Sequence, residues 1–150
     1  MLHRFLVALS AFTITLPAAA HSLPPQSEAL LTDLQALGGR AYVDSEICKG
    51  RGAYGVAQGH IVHICLSNHQ LNDVEEVRDT VRHEVWHVIQ ACAGGPLMLD
   101  SDAEIEEAQT TGWEPLAYDP EIWAFEAEAH NAAHNYTEAE ISGFMHAYCH

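Results

Sequence analysis

From Asn72 to Pro96 the sequence specifies one long helix with two unlike faces, and any fold of this chain must bury one and leave the other accessible. Asn72 or Asp73 can cap its start, and Glu75 or Glu76 three residues later completes a capping box. Gly94-Gly95-Pro96 ends it, so the pattern predicts a helix from about Asp73 to Ala93. On a wheel of about 100° per residue, Val74, Val77, Val81, Val85, Val88 and Cys92 share one narrow arc, the face expected in the core. His83 and His87 lie on the other side, one turn apart, with Glu84 beside them.

The chain around this helix has 150 residues, 6 Lys+Arg against 21 Asp+Glu, and 11 His, a formal charge of −15. That length fits one domain. The few basic residues are scattered, and nucleic acid is not expected as a partner, because binding it requires clustered Lys and Arg. Met1 to Arg4 carry one positive charge, Phe5 to Leu16 are almost wholly apolar, and Pro17 and Ala18-Ala19-Ala20 follow, the three-part form of a secretory signal peptide. The apolar run is about a dozen residues, short of the roughly 20 that cross a bilayer. The expectation is a signal segment over 1–20 and a single domain over 21–150, periplasmic or secreted, with no membrane attachment after cleavage.

In that compartment four cysteines are expected to form disulfides. Cys48 pairs with Cys65, since they flank an expected hairpin, and Cys92 with Cys149, tying the last residues to the end of the helix. His21 to Ser27 reads as a loose lead-in and Glu28 to Leu37 as a short helix closed by Gly38-Gly39. Ala41 to Cys48 and His60 to Leu66 read as strands, with turns and an extra strand between Gly50 and Gly59. The acidic run from Asp100 to Glu107 reads as a solvated surface segment, and His60, His63 and His69 as half-exposed. Trp86 and Trp123 read as core or cleft wall.

The string His83-Glu84-Val85-Trp86-His87 is an HExxH motif: two imidazoles on one helical face that can share an ion, and a carboxylate placed to take a proton from water. Catalytic zinc usually keeps three protein ligands, so a third is needed. The metzincin continuation is absent, because Gln90 stands where Gly is required and Ala93 where His is required. A second helix begins at Asp119-Pro120-Glu121 and runs to about Asn135, carrying two glutamates. With Ile122 at zero, Phe125, Ala129 and Ala133 fall within about 60°, Glu126 at about 40° and Glu128 at about 240°. Glu126 is therefore an acid inside an apolar stripe, which calls for a partner such as a metal, and Glu128 is read as solvated. His130, one turn beyond Glu126, is placed to hydrogen-bond a ligand.

An HExxH helix followed by a glutamate on a later helix resembles the gluzincin branch of the zinc metallopeptidases, in which that glutamate often stands in a Glu-x-x-Ala or Glu-x-x-x-Asp setting. Here Glu126 to Ala129 matches the alanine, and His130 stands where Asp is common. The resemblance, carried by Ile61 to Asn135, implies an α+β zincin-like domain with a short β-sheet packed on the active-site helix and a C-terminal glutamate helix. It implies Zn2+ held by His83, His87 and Glu126, Glu84 as general base, and a peptide or protein as substrate. Tyr118, His134, Tyr136 and Tyr148 are open candidates for the oxyanion stabiliser, and the strand from His60 to Leu66 offers an edge to which an extended peptide adds. The competing expectation is a non-catalytic extracytoplasmic metal-binding protein, and a zincin scaffold without turnover that binds a partner is a third.

Overall fold

A computed structural model describes residues 22–70, 73–98 and 101–150; the expected signal segment, Asn72 and Asp100 lie outside them. The described residues form an α+β arrangement of five α-helices and a three-stranded sheet. Helix α1 (Pro25–Ala36) buries Leu30, Leu31 and Leu34. Pro25, expected in a loose lead-in, is its first residue, where the fixed φ suits the first turn and the missing N–H has no helical partner to lose. Gly38, at φ +87°, turns the chain away into the sheet.

Strands β1 (Arg40–Val43), β2 (Gly55–Gln58) and β3 (Ile61–Ile64) stand in the order β1-β3-β2. A two-residue turn with Gly59 at φ +59° joins β2 to β3 as an antiparallel hairpin. Strand β1 pairs with β3 in parallel, Arg40 opposite Ile61 and Val43 opposite Ile64, so the expected hairpin is the inner pair alone. Two expectations change with this. The strand from His60 to Leu66 is central, paired on both sides, and has no edge to offer; the outer strands are β1 and β2. Cys48 and Cys65 meet because parallel strands end side by side: each follows the end of one, and their Cα atoms are 5.4 Å apart in the disulfide.

Helix α2 (Val74–Ala93) has the expected extent. The Asp73 carboxylate accepts from the Glu76 N–H at 3.0 Å, and Gly94 at φ +81° ends the helix. The apolar arc is buried from Val77 through Val88, whereas Val74 at the first turn is exposed. Around α2 pack β2 and β3 on one side and α1, α4 (Trp123–Asn135) and α5 (Glu138–Tyr148) on the others. Trp86 lies in this core, its ring against Tyr136 and Phe144 at centroid distances of 5.6 and 5.1 Å.

Two helices were not expected. Helix α3 (Ser101–Thr110) occupies the acidic run, turning Asp102, Glu106 and Glu107 to solvent while Ala108 packs with Trp113 and Ala127. Helix α5 starts at a capping box between Thr137 and Glu140. Arg78 of α2 grips Glu138 of α5 with two hydrogen bonds, 2.7 and 2.8 Å.

The second disulfide, Cys92 to Cys149, ties α5 to the end of α2 across 57 residues. The two bridges suit an oxidising extracytoplasmic setting, and none of the described helices is long and apolar enough to cross a membrane. Replacing both Cys92 and Cys149 by alanine is expected to lower the unfolding free energy by about 4 kcal/mol, from the loop-closure entropy of a ring of that size, measured by urea denaturation of the metal-free chain.

Candidate metal centre

The face of α2 opposite its valines forms one wall of a cleft of about 800 Å3. The segment from Gly52 to Ala57, Tyr118, and Glu126, His130, Ala133 and His134 of α4 also line it. His83 and His87 project into it at i and i+4, as the helical period requires. Glu126 meets them from α4.

Their ligand atoms converge. His83 Nε2 lies 3.1 Å from His87 Nε2 and 3.3 Å from Glu126 Oε2, and His87 Nε2 lies 3.6 Å from Glu126 Oε1. Donors about 2.0–2.2 Å from a tetrahedral ion stand roughly 3.3–3.6 Å from one another. Glu126 faces the two histidines with different oxygens, and this triangle of side chains is small enough for one atom of each to reach a shared ion, with two imidazoles and one carboxylate as zinc-type donors. Among the described residues it is the one group of three such side chains with ligand atoms this close.

The electrostatics follow from the same contacts. Burial alone would raise the Glu126 pKa, but hydrogen bonds to His83 and His87 and the charges behind them hold it at about 2. Burial works to depress His87, and the hydrogen bond and charge of Glu126 outweigh it, so His87 keeps its proton to higher pH than an ordinary imidazole. Glu84 is 7% exposed, and burial raises its pKa against the pull of the two histidines and a backbone hydrogen bond from Ala57. Strand β2 covers this carboxyl closely: a Cβ on Gly55 would stand 2.6 Å from Glu84 Cγ and 2.8 Å from Oε1. Glycine within a strand marks such an approach, and that was the available signal for Gly55.

The structure reverses the reasoning about the two glutamates of α4 while leaving Glu126 in the cleft. Ile122 and Phe125 of the expected stripe are exposed, and the buried face is Ala127, Glu128, Ala129, Asn131, Ala132 and Ala133. Glu128, read as solvated, is 1% exposed. It accepts from Trp86 Nε1 at 2.7 Å and from the N–H groups of Leu97 and Met98 at 2.8 and 3.1 Å, so three donors replace the water it loses. It points away from the triangle into the α2–α4 contact and the turn after α2.

His130 bonds Thr111 Oγ1 at 2.8 Å rather than a member of the triangle, and its ring stacks on His134. The residue that does contact a triangle histidine is Gln90, at 2.8 Å from His87 Nδ1, on the same helix. Of the four tyrosine and histidine candidates, Tyr118 and His134 line the cleft. Tyr136 is committed to stacking on Trp86, and Tyr148 lines a separate cavity beside the Cys92–Cys149 bridge. Burial, then the carboxylates of Glu126 and Glu84, push the Tyr118 pKa up, which keeps its hydroxyl a donor. His69, expected half-exposed, is buried, stacked on Tyr54 with its Nδ1 3.1 Å from Glu76 Oε2. His63 projects from β3 to Ser45 Oγ at 2.7 Å.

No protein-family model, curated protein or solved structure matches this chain.

Two outcomes distinguish these roles without any assay of activity. Glu128→Ala leaves the buried Trp86 donor and two half-buried backbone donors unpaired and is expected to cost roughly 2–3 kcal/mol in urea denaturation at about pH 8, whereas Glu126→Ala has a much smaller effect. The metal-free chain should also show a stability window. The Glu126 contribution is complete above the ordinary carboxylate value of 4.5 and lost as pH falls toward about 2. That of His87 is complete below the ordinary 6.5 and lost as pH rises through its raised value. Both act between 4.5 and 6.5, so unfolding in EDTA as a function of pH should show the wild type gaining over Glu126→Ala most in that interval.

Proposed function

We propose that this chain is a small secreted or periplasmic zinc-dependent metallopeptidase of the zincin type, similar to the gluzincins, with Zn2+ held by His83, His87 and Glu126. The observation that carries the reading is the convergence of His83, His87 and Glu126 in the cleft, with contacts of 3.1, 3.3 and 3.6 Å among their nitrogens and carboxylate oxygens, and a buried carboxyl, Glu84, next to them in sequence. The short sheet against α2 and the glutamate helix α4 agree with a zincin-like arrangement.

When bound there, zinc supplies a Lewis acid for the scissile carbonyl and makes water a stronger acid. The chain's own groups do the rest. Glu84, whose burial raises its proton affinity, accepts the proton of the attacking water and then returns it to the leaving amine. A carboxylate held near its ordinary value would take the first proton less readily. Tyr118, kept protonated by its acidic neighbours, donates to the carbonyl oxygen as negative charge develops there. Strand β2, an outer strand on the cleft wall, is the edge against which an extended peptide lies, in place of β3. Gly55 leaves room beneath that edge for Glu84.

Glu84→Gln separates the peptidase from a non-catalytic metal-binding protein. Elemental analysis should find one zinc per chain in wild type and Glu84→Gln, and none in Glu126→Ala. Hydrolysis of a quenched-fluorescence peptide library should fall by at least about 100-fold in Glu84→Gln, the scale of general-base catalysis. Equal hydrolysis in the two would sink the mechanism, and more than one tightly held ion with no hydrolysis would favour the binding protein.

A further inference from the structure

Gln90 is 1% exposed and lies one turn beyond His87 on α2, where α2 meets α4. Its two polar atoms are both committed. Oε1 is 2.8 Å from His87 Nδ1, and Nε2 donates to the Phe125 carbonyl oxygen at 3.0 Å. The second bond decides the first. With its amino group on a carbonyl, the amide can present only its oxygen to the imidazole, since the flipped amide would set two oxygens 3.0 Å apart. His87 Nδ1 must therefore carry the hydrogen. In the neutral ring this leaves the lone pair on Nε2, the atom that faces His83 and Glu126.

Phe125, whose carbonyl takes the other bond, directly precedes Glu126. One buried side chain thus holds the ring of one ligand and the helix position of another, on two different helices. We infer that Gln90 is a positioning residue of the metal centre, selecting the Nδ1–H tautomer of His87 and fixing its ring plane while it sets α4 so that Glu126 reaches the same point. The inference rests on the zinc site proposed above. A carboxylate at position 90 could also accept from His87, but it would face the Phe125 oxygen without a proton to offer. The neutral amide serves both partners and adds no charge beside Glu84 and Glu126.

The test compares the wild type, Gln90→Met, which has similar length and no hydrogen-bonding group for His87, and Gln90→Glu, which keeps the oxygen. Zinc affinity is measured by competition with a chromophoric chelator, the visible spectrum is recorded on the cobalt-substituted protein, and metal-free unfolding is followed in parallel. Gln90→Met should bind zinc 10- to 100-fold more weakly and shift the cobalt bands, and Gln90→Glu, which keeps the acceptor for His87 but loses the donor to Phe125, should be weakened less than Gln90→Met and remain weaker than the wild type. A Gln90→Met affinity within about twofold of wild type, with an unchanged cobalt spectrum, overturns the inference. So does equal loss of affinity in both variants that tracks loss of metal-free stability, which would make Gln90 a packing residue only. If Gln90→Met does not fold, 15N resonances of the histidines in the zinc-loaded wild type decide the matter: His87 with its hydrogen on Nδ1 is expected, and metal on Nδ1 overturns it. A wild type that binds no zinc overturns this inference and the peptidase reading together. One that binds zinc but hydrolyses nothing removes only the peptidase reading and leaves the affinity comparison standing.

Discussion

Glu126 can meet His83 and His87 only if α4 lies across α2 in one register, and buried polar bonds, not apolar contacts, set that register. The α4 side chains in the core shared with α2 are Ala129 and Ala132, which let the helices approach closely but form a nearly smooth surface that tolerates sliding. Directional bonds do not tolerate it. Trp86 Nε1 to Glu128 fixes one point of the crossing, and Gln90 Nε2 to Phe125 O fixes another one turn further along α2. The same Glu128 carboxylate gathers the N–H groups of Leu97 and Met98, so the chain leaving α2 is fastened at the same place. A lost bond here costs more than its own strength, since a buried donor or acceptor left alone has no water to turn to.

Helix α2 was legible in the sequence because its signals are local: a cap, a valine period and a glycine stop. The histidine pair came with it, since residues four apart on a helix must share a face. The two disulfides were also legible, though the hairpin was an incomplete reason for the first, as parallel pairing of β1 with β3 brings Cys48 to Cys65. That pairing joins segments about twenty residues apart around an intervening strand, and no local pattern encodes it. On α4 the wheel placed Ala129 and Ala133 correctly but centred the buried face on Ile122 and Phe125 rather than on Ala127 and Ala132, since alanines carry little signal, and a carboxylate buried among three donors is indistinguishable in composition from one in water. Glu126 reaches the cleft because it sits beside the exposed end of the expected stripe, not within a buried one. Thr137 and Glu140 form a capping box ahead of α5, a local signal for a helix that was not expected.

The cleft draws on both kinds of information. Its ligand geometry comes from helical spacing plus one tertiary crossing, whereas the environment of Glu84 depends on a backbone approach. Strand β2 can come within reach of that carboxyl only because position 55 has no Cβ, and Ala57 then offers its N–H two residues along. Burial acts on that group against the two histidines and the backbone donor, with burial the larger, which leaves a carboxyl of raised proton affinity.

The two disulfides also define how the molecule carries tension. A pull along the chain reaches Cys48, passes through the sulfur bridge to Cys65, runs along α2 to Cys92 and crosses to Cys149. Residues 49–64 and 93–148 are side loops off this path and bear no direct load. The wall containing β2, Tyr118 and the whole of α4 hang from a spine whose longest element is the helix that carries His83, Glu84 and His87. Tension therefore passes through α2 directly, as it does through α1 and β1 ahead of Cys48, and reaches the rest of the cleft wall only through packing.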